Sequence, residues 1–163
     1  MAKSKEEKTN VMRVLEQKKI AYTAHTYPHE EGVAVDGVTV AQSMGFDPAA
    51  VFKTLVARGA SKQYYVFDVP VAENLDLKKA AKAVGEKSIE MIHQKELLPL
   101  TGYVHGGCSP VGMKKLFPTV FHSSAENLAA MIVSAGKIGY QVELSPRDLA
   151  ALVRAKFADI IVE

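Results

Sequence analysis

Apolar and polar residues follow two periods along this chain, and together they predict short helices mixed with short strands. Helical spacing predicts helices over residues 8–19, Gly37–Met44 and 75–84, and a single helical turn over 94–98. Alternating segments predict strands at 21–27, 51–58, Tyr64–Pro70, 103–105, Thr119–His122, Met131–Ser134 and Tyr140–Leu144, whereas residues 88–91 are too short to assign. Because helices and strands are interspersed without strict alternation, the pattern favours an α+β fold.

Capping residues set two of the predicted helix boundaries. Asn74 is expected to cap the helix over residues 75–84. Ser145, Pro146 and Asp148 combine a capping serine, a proline at the first helical position and an acid three residues later, so a helix should run to about Phe157. Three acids beside turns or helix starts are also interpreted as caps: Asp47, Asp68 and Asp76.

The predicted strand 51–58 carries a lysine at an apolar position. Lys53 shares the strand face of Val51 and Leu55, where an ammonium group is costly to bury without a partner. Lys53 either extends from an edge strand to water or projects into a cavity that holds an anionic or carbonyl-bearing ligand. We favour the cavity.

The segment from Thr101 to Lys115, called the glycine loop here, is rich in glycine and small residues. Glycine permits positive φ and close approach of the main chain to another group. Main-chain N–H groups on such a loop can converge on an oxyanion or a phosphate. An ordinary hairpin loop followed by solvated lysines is the alternative, and composition alone leaves the two interpretations even.

Length and composition describe an ordinary globular protein. The 163 residues are 48% hydrophobic and 23% charged, which fits one domain over residues 1–163. No apolar run approaches the roughly 18 residues of a membrane span, and the first ten residues lack the apolar core of a signal peptide. A single cysteine forms no internal disulfide, so a cytoplasmic location is expected.

The net charge of +2 is low for a protein that binds nucleic acid by itself. A basic patch can exist within a balanced total, although each lysine taken alone is better explained as a solvated surface residue. The candidates are Lys78, Lys79, Lys82, Lys114, Lys115 and Lys137.

Two common kinds of catalytic centre are disfavoured. Cys108 stands close to His105, but no third residue is identified that would orient the histidine, so Cys108 is expected to pack the loop and not to act as a nucleophile. The five histidines show no zinc spacing, and we expect neither a metal nor another cofactor.

Five segments, in this order and at fitting distances, resemble the YbaK/EbsC family, and most closely its YbaK-type Cys-tRNA(Pro) deacylases. They are HTYP (25–28), VFKTL (51–55), LDLKKAAKAVG (75–85), TGYVHGGCSPVGMKK (101–115) and VSAGKIG (133–139). The resemblance extends from about Thr9 to Asp159. It implies a mixed, largely antiparallel, barrel-like sheet with peripheral helices, as in the editing domain of bacterial prolyl-tRNA synthetase.

The activity implied by the resemblance is removal of cysteine from the 3′ acceptor end of mischarged proline tRNA, with cysteine tRNA as an additional candidate substrate. The thiol of the substrate cysteine would attack its own ester carbonyl, so no protein nucleophile is required. Tethering of the thiol to the carbonyl can supply a large effective molarity. Prolyl-tRNA synthetase is the expected protein partner.

The resemblance also implies a set of site residues. Lys53 would position the terminal nucleotide or the substrate carbonyl, and the N–H groups of Gly106 and Gly107 would stabilise the oxyanion. The expected substrate-binding residues are Tyr27, Thr54, Ser109, Pro110, Ser134 and Gly136. Packing alone is an equally good explanation for Tyr27 and Ser134.

Two departures from the family pattern and two rival functions remain open. Residues 33–36 read VAVD where the family often has polar and aromatic residues, and Gln141 stands where a relative can carry aspartate. One rival is an editing deacylase that removes alanine or serine with an activated water. The other is a non-catalytic module that binds tRNA or a synthetase.

Overall fold

A computed structural model describes residues 8–163. Most of the N-terminal segment that was expected to carry no signal peptide, residues 1–7, lies outside this range. The described residues form five α-helices: α1 (Asn10–Gln17), α2 (Gly37–Met44), α3 (Leu77–Val84), α4 (Gln94–Thr101) and α5 (Pro146–Val153). They also form eight strands: β1 (Tyr22–Thr26), β2 (Phe52–Gly59), β3 (Tyr64–Pro70), β4 (Ile89–Met91), β5 (Thr119–His122), β6 (Met131–Ser134), β7 (Tyr140–Leu144) and β8 (Lys156–Ala158). No helix within this range is long and apolar enough to cross a membrane.

The strands build two sheets, one of three strands and one of five. The smaller sheet has the order β1-β7-β6 and is antiparallel throughout. The larger has the order β4-β2-β3-β5-β8, in which β2 pairs antiparallel with β3 and β4, and β5 pairs parallel with β3 and β8. The α+β class and the mixed, largely antiparallel sheet predicted from the sequence are therefore confirmed.

The two sheets meet at one edge of β2. Val51 forms a parallel bridge with Ile132 of β6, whereas β4 pairs only with the far end of β2, from Ala57 to Gly59. The other edge of β2 is occupied by β3 along its whole length. β6 and β4 thus share one edge of β2 and leave its middle uncovered, so the sheets curve together without closing into a barrel.

The β2–β3 hairpin separates two apolar cores. On one face, Val56 and Val66 pack with α1 and the smaller sheet. On the other face, Phe67 and Val69 pack with α3. Full burial of a side chain such as Phe67 stabilises the fold by about 1.5–3 kcal/mol. Because successive side chains of a strand point to opposite faces, alternate residues of β2 and β3 face the two cores.

Three segments differ between the sequence analysis and the structure. Residues 103–105 form no strand, because Tyr103 is held in the glycine loop: its N–H donates to the Thr101 hydroxyl, and its own hydroxyl donates to the Val111 carbonyl at 2.5 Å. Residues 88–91, left unassigned, contain β4. The helical turn predicted over 94–98 continues to Thr101 as α4, despite Pro99.

Two helix boundaries also differ. Asp76, and not Asn74, caps α3, since its Oδ1 accepts hydrogen bonds from the N–H groups of Lys78 and Lys79. The Ser145 cap is confirmed, but α5 ends at Val153 and not near residue 157. The three residues of β8 then pair with β5, which a three-residue pattern is too short to predict.

Candidate active site

A cavity of about 170 Å³ lies where the middle of β2 is uncovered. Its walls come from β2, the start of α2, α4, the facing ends of β6 and β7, and the glycine loop. The volume is below the about 300–1,000 Å³ of pockets for drug-sized ligands, so the cavity suits a small group. The gap between the two sheets therefore creates the site.

The exposed edge of β2 supplies one wall. The Val51 carbonyl accepts from Val71 N–H on the β3 side, and the Val56 carbonyl accepts from Ile92 N–H on the opposite side. Since successive residues of a strand direct their main-chain groups to opposite edges, those of Thr54 point to the uncovered edge. Residues on both faces of β2, including Lys53 and Thr54, line the cavity because it runs along this edge.

Lys53 lies half-buried in this wall. It stands opposite Val69 in the hairpin and on the same face as Leu55, as predicted. Burial lowers the pKa of Lys53, and the nearby Glu73 charge opposes that effect. Within residues 8–163, no carboxylate lies within ion-pair distance of the Lys53 ammonium, which leaves this group free to bind an anion.

Asp68 is a functional candidate that the sequence analysis missed. The interpretation of Asp68 as a cap is wrong, whereas Asp47 and Asp76 do cap helices. Asp68 lies inside β3 opposite Thr54 and is 0% exposed. Thr54 Oγ1 donates to Asp68 Oδ1 at 2.5 Å, while Asp68 Oδ2 has no hydrogen-bond partner among the described residues. Burial raises the pKa of Asp68 to about 7, opposed by the hydrogen bond from Thr54.

The glycine loop contributes one of its two predicted oxyanion donors to the cavity wall. Gly106 lines the cavity, with φ of +91° and space so tight that an added Cβ would lie 2.7 Å from Ala34 Cβ. Its N–H makes no hydrogen bond within residues 8–163. Gly107 lies against residues 137 and 138, outside the lining, and its N–H donates to the Val104 carbonyl at 2.9 Å. Gly106 is therefore the better placed donor.

Three residues from the smaller sheet and its flanking segment complete the wall. Tyr27 is 4% exposed and donates its N–H to the Gly139 carbonyl. Ser134 stands opposite Gln141, and both line the cavity. Within residues 8–163, the buried Gln141 Oε1 has no hydrogen-bond partner, which the sequence did not reveal. Gly136 lies outside the lining and donates its N–H to Ser134 Oγ at 3.1 Å, which fixes that hydroxyl.

Ser109 and Pro110 are buried behind the lining and not within it. Ser109 is 0% exposed, and its Oγ accepts the N–H of Val111 at 3.2 Å. The pair shapes the part of the glycine loop that follows Gly106. Their contribution to a bound ligand is therefore indirect.

Cys108 lines the cavity but is unsuited to nucleophilic attack. Burial, followed by the charge of Asp68, raises the pKa of its thiol to about 12, and the hydrogen bond with Thr101 opposes this. A thiol in this state is protonated at neutral pH, and the thiolate is the reactive form. His105, beside it in sequence, is exposed. The structure agrees with the sequence interpretation of Cys108 as a packing residue.

The residues between Gly32 and Gly37 that depart from the family pattern shape the cavity from outside. Ala34 packs against Gly106, and Asp36 caps α2 by accepting the N–H of Thr39 at 3.3 Å. The start of α2 then contributes Gly37 and Val40 to the lining. Residues 33–36 therefore support the wall from behind, and the start of α2 forms it.

The six candidate lysines divide between two regions. Lys78, Lys79 and Lys82 lie on α3, where Lys79 pairs with Asp159 and Glu163. The other three belong to the glycine loop or pack against it: Lys114 and Lys115 are its last two residues, and Lys137 lies against Gly107. None of the six lysines lines the cavity, and Lys137 comes nearest in the sense that Gly107 follows the lining residue Gly106. Among the described residues, no three His, Cys, Asp or Glu side chains form a cluster that could hold a metal ion.

The chain is similar to proteins of tRNA editing over almost its whole length. The family model described as an aminoacyl-tRNA editing domain matches residues 32–152. A curated protein of Enterococcus faecalis, named provisionally as the Cys-tRNA(Pro)/Cys-tRNA(Cys) deacylase EbsC, is 45% identical over 161 residues, which cover 98% of each chain.

Solved structures share this fold. A protein described provisionally as a trans-editing enzyme for prolyl-tRNA synthetase has a TM-score of 0.79 at 25% identity, covering 94% of this chain and 95% of the other. The hypothetical protein APE2540 has a TM-score of 0.82 at 20% identity, covering 93% and 99%. The chain belongs to the aminoacyl-tRNA editing domain family.

Proposed function

We propose that this protein is an aminoacyl-tRNA deacylase that removes cysteine from mischarged tRNA(Pro). The observation that carries the proposal is the small cavity on the exposed edge of β2. Among its described lining residues, Lys53 is a cation without an ion-pair partner, and the Cys108 thiol is not activated. A cavity of this kind suits a substrate that supplies its own nucleophile. The name of the 45% identical relative supports the same substrate and adds Cys-tRNA(Cys).

The reaction begins with ionisation of the substrate thiol, whose ordinary pKa is about 8.5. The thiolate attacks the carbonyl carbon of its own ester, and the carbonyl oxygen becomes an oxyanion. As the tetrahedral intermediate collapses, the bond to the tRNA 3′ oxygen breaks, and that oxygen takes a proton to become a hydroxyl. The cyclic thiolactone leaves and is hydrolysed to cysteine by water.

The lining residues have separate tasks in this reaction. Lys53 binds the anionic end of the tRNA or the substrate carbonyl, and Gly106 donates its N–H to the developing oxyanion. Tyr27, Thr54 and Ser134 hold the aminoacyl group. The residues behind the lining keep these groups in position: Gly107, Ser109, Pro110 and Gly136.

The larger substrate extends beyond the cavity. Lys114 and Lys115 end the glycine loop and Lys137 packs against it, so these three lysines are suited to contact the phosphates of the acceptor end. Prolyl-tRNA synthetase, which produces the mischarged tRNA, is the proposed protein partner, and the cytoplasm is the proposed location. The whole chain, residues 1–163, is proposed to act as one domain.

A deacylation assay with four substrates tests this function. The pure protein is incubated with tRNA charged with cysteine, alanine, serine or proline, and the ester that remains is measured over time. Cys-tRNA(Pro) should be cleaved fastest. Preference for alanine or serine would favour water as the nucleophile, and cleavage of none would favour a binding module.

Lys53→Ala provides the matching test of the site. The variant should lose deacylation by about 100-fold or more while it keeps its fold, since removal of a well-oriented charged group from an active site has effects of this size. Lys78→Ala, at an exposed position on α3, is the control and should keep the wild-type rate. Near-normal activity of Lys53→Ala would contradict the assigned role.

A further inference from the structure

Asp68 and Thr54 form a hydrogen-bonded pair that extends from the cavity wall into the core. Thr54 lines the cavity, and Asp68 lies behind it with no exposed surface. A carboxyl group inside an apolar strand is costly to bury, and in the part of the chain that the structure describes only one of its two oxygens has a hydrogen-bond partner. The fold therefore retains an acid for which packing gives no reason.

The pair fixes the direction in which the Thr54 hydroxyl points. A hydroxyl has one hydrogen to donate and two lone pairs that accept. Thr54 Oγ1 gives its hydrogen to Asp68 Oδ1 at 2.5 Å, so towards the cavity it can act only as an acceptor. A thiol held in the cavity finds there an oxygen that accepts its S–H hydrogen.

We propose that Asp68, acting through the Thr54 hydroxyl, takes up the proton that the substrate thiol loses. The inference rests on the proposed function, and it adds a protein base to a self-cyclisation that requires no protein nucleophile. Asp68 does not touch the substrate; Thr54 connects the two. Asp68 is thus a positioning and proton-accepting residue for a reaction whose nucleophile belongs to the substrate.

The proton transfers balance within the site. The thiol proton passes to Thr54 Oγ1 as the hydrogen of Thr54 passes to Asp68 Oδ1, which leaves a thiolate, an unchanged threonine and a neutral carboxyl group. The thiolate forms the carbon–sulfur bond, and the ester carbon–oxygen bond breaks. The proton held by Asp68 returns by the same route to the tRNA 3′ oxygen, which restores the carboxylate.

The surroundings of Asp68 suit this task. Burial raises the pKa of Asp68 to about 7, so a carboxylate that is a stronger base than usual is available at neutral pH. Cys108 is the titratable group near it, and that thiol stays protonated because its own pKa is raised to about 12. The strands on either side contribute Thr54 and Phe121, neither of which titrates.

The pH dependence of deacylation tests the relay. Rates with Cys-tRNA(Pro) are measured from pH 6 to 9 for the wild type, Asp68→Asn, Thr54→Val and Thr54→Ser, and the rate without protein is subtracted. The wild-type rate should level off above about pH 7, since Asp68 is half ionised at its pKa of about 7 and becomes fully ionised above it. In Asp68→Asn and Thr54→Val it should continue to rise until the substrate thiol itself ionises, at about 8.5.

The size of the effect follows from these two values. At pH 7 the kcat of Asp68→Asn should be lower by up to about 30-fold, because about 1.5 pH units separate an ordinary thiol from Asp68. At pH 9 the deficit should shrink to below about threefold, since the thiol then ionises unaided. KM should change little at either pH. Thr54→Ser restores a hydroxyl and should keep the plateau near pH 7.

The outcomes separate the relay from the function on which it rests. An inactive wild type would overturn both. An active wild type with Asp68→Asn rates that are reduced by the same factor at every pH, or not reduced, would overturn the relay alone. If Asp68→Asn does not fold, Thr54→Val decides, because it removes the hydroxyl and leaves the carboxyl group in place; a Thr54→Val profile parallel to the wild type overturns the relay.

Discussion

Replacing Asp68 with asparagine should change how folding stability depends on pH. The folded protein holds the Asp68 proton more tightly than the unfolded chain does, because burial raises the pKa from 3.8 to about 7. An acid of this kind binds more protons in the folded state, so the free energy of unfolding falls as pH rises from about 4 to about 7. Asparagine has no such proton.

The magnitude follows from the span of about three pH units. At about 1.36 kcal/mol per unit, the wild type should lose about 4 kcal/mol of stability between pH 3.5 and pH 8 through this group. That is a large part of the about 5–15 kcal/mol by which a domain is usually stable. As pH rises over this range, the free energy of unfolding of Asp68→Asn should therefore increase by about 4 kcal/mol relative to that of the wild type.

Urea unfolding of both proteins at half-unit intervals from pH 3.5 to 8 measures this difference. All other titrating groups are shared and cancel when the two curves are subtracted. The asparagine NH₂ group, buried without a partner, adds a constant cost of about 1–3 kcal/mol that does not depend on pH. A difference that stays flat across the range would refute the assignment of a raised pKa to Asp68.

Two further predictions concern the glycine loop. Cys108→Ala should keep the deacylation rate within about twofold, because a thiol that stays protonated takes no part in attack; loss of turnover by a folded variant, or a thioester trapped on Cys108, would contradict this. Gly106→Ala should lower both activity and thermal stability, since a side chain at φ of +91° is strained and would meet Ala34, with a stability cost above about 1–2 kcal/mol. Gly45→Ala, where φ is also positive but the space is open, is the matched control; equal effects of the two changes would argue against a crowded Gly106.

The sequence indicated those candidate site residues that destabilise the segment in which they stand. Lys53 was found because an ammonium group on an apolar strand face is unusual within a window of five residues. The glycine loop stands out because it is rich in glycine and small residues, whereas Gly106 itself is a residue that the family resemblance implies. Both features reduce the stability of the segment that carries them, and so they are visible without a partner.

The remaining parts depend on pairings between distant segments. Asp68 and Thr54 are 14 residues apart and meet only because the hairpin register sets them opposite each other. Gln141 meets Ser134 across β6 and β7 in the same way. The one available signal was an acid inside the apolar run of β3, and it was attributed to capping. A cap requires a free N–H at a helix start, which the middle of a strand does not offer.

The same distinction explains the fold. The helices and the longer strands follow from periodicity, which is a property of one segment. The gap along β2 exists because β4 and β6 pair with opposite ends of one edge. The residue pattern of β2 does not indicate which strands pair with that edge. The open sheet and the cavity that it creates are therefore products of tertiary pairing.

The central claim is that the substrate thiol is the nucleophile, and a substrate with a blocked thiol tests it most directly. The measurement compares the cleavage of Cys-tRNA(Pro) and of S-methylcysteinyl-tRNA(Pro) by the wild-type protein at pH 7.5. The methyl group replaces the ionisable hydrogen of the thiol. Its added carbon alone, as a change in an apolar contact, should lower kcat/KM by no more than about 200-fold. With the thiol as nucleophile, S-methylcysteinyl-tRNA(Pro) should not be cleaved above the rate without protein. Cleavage of both substrates at the same rate would contradict self-cyclisation.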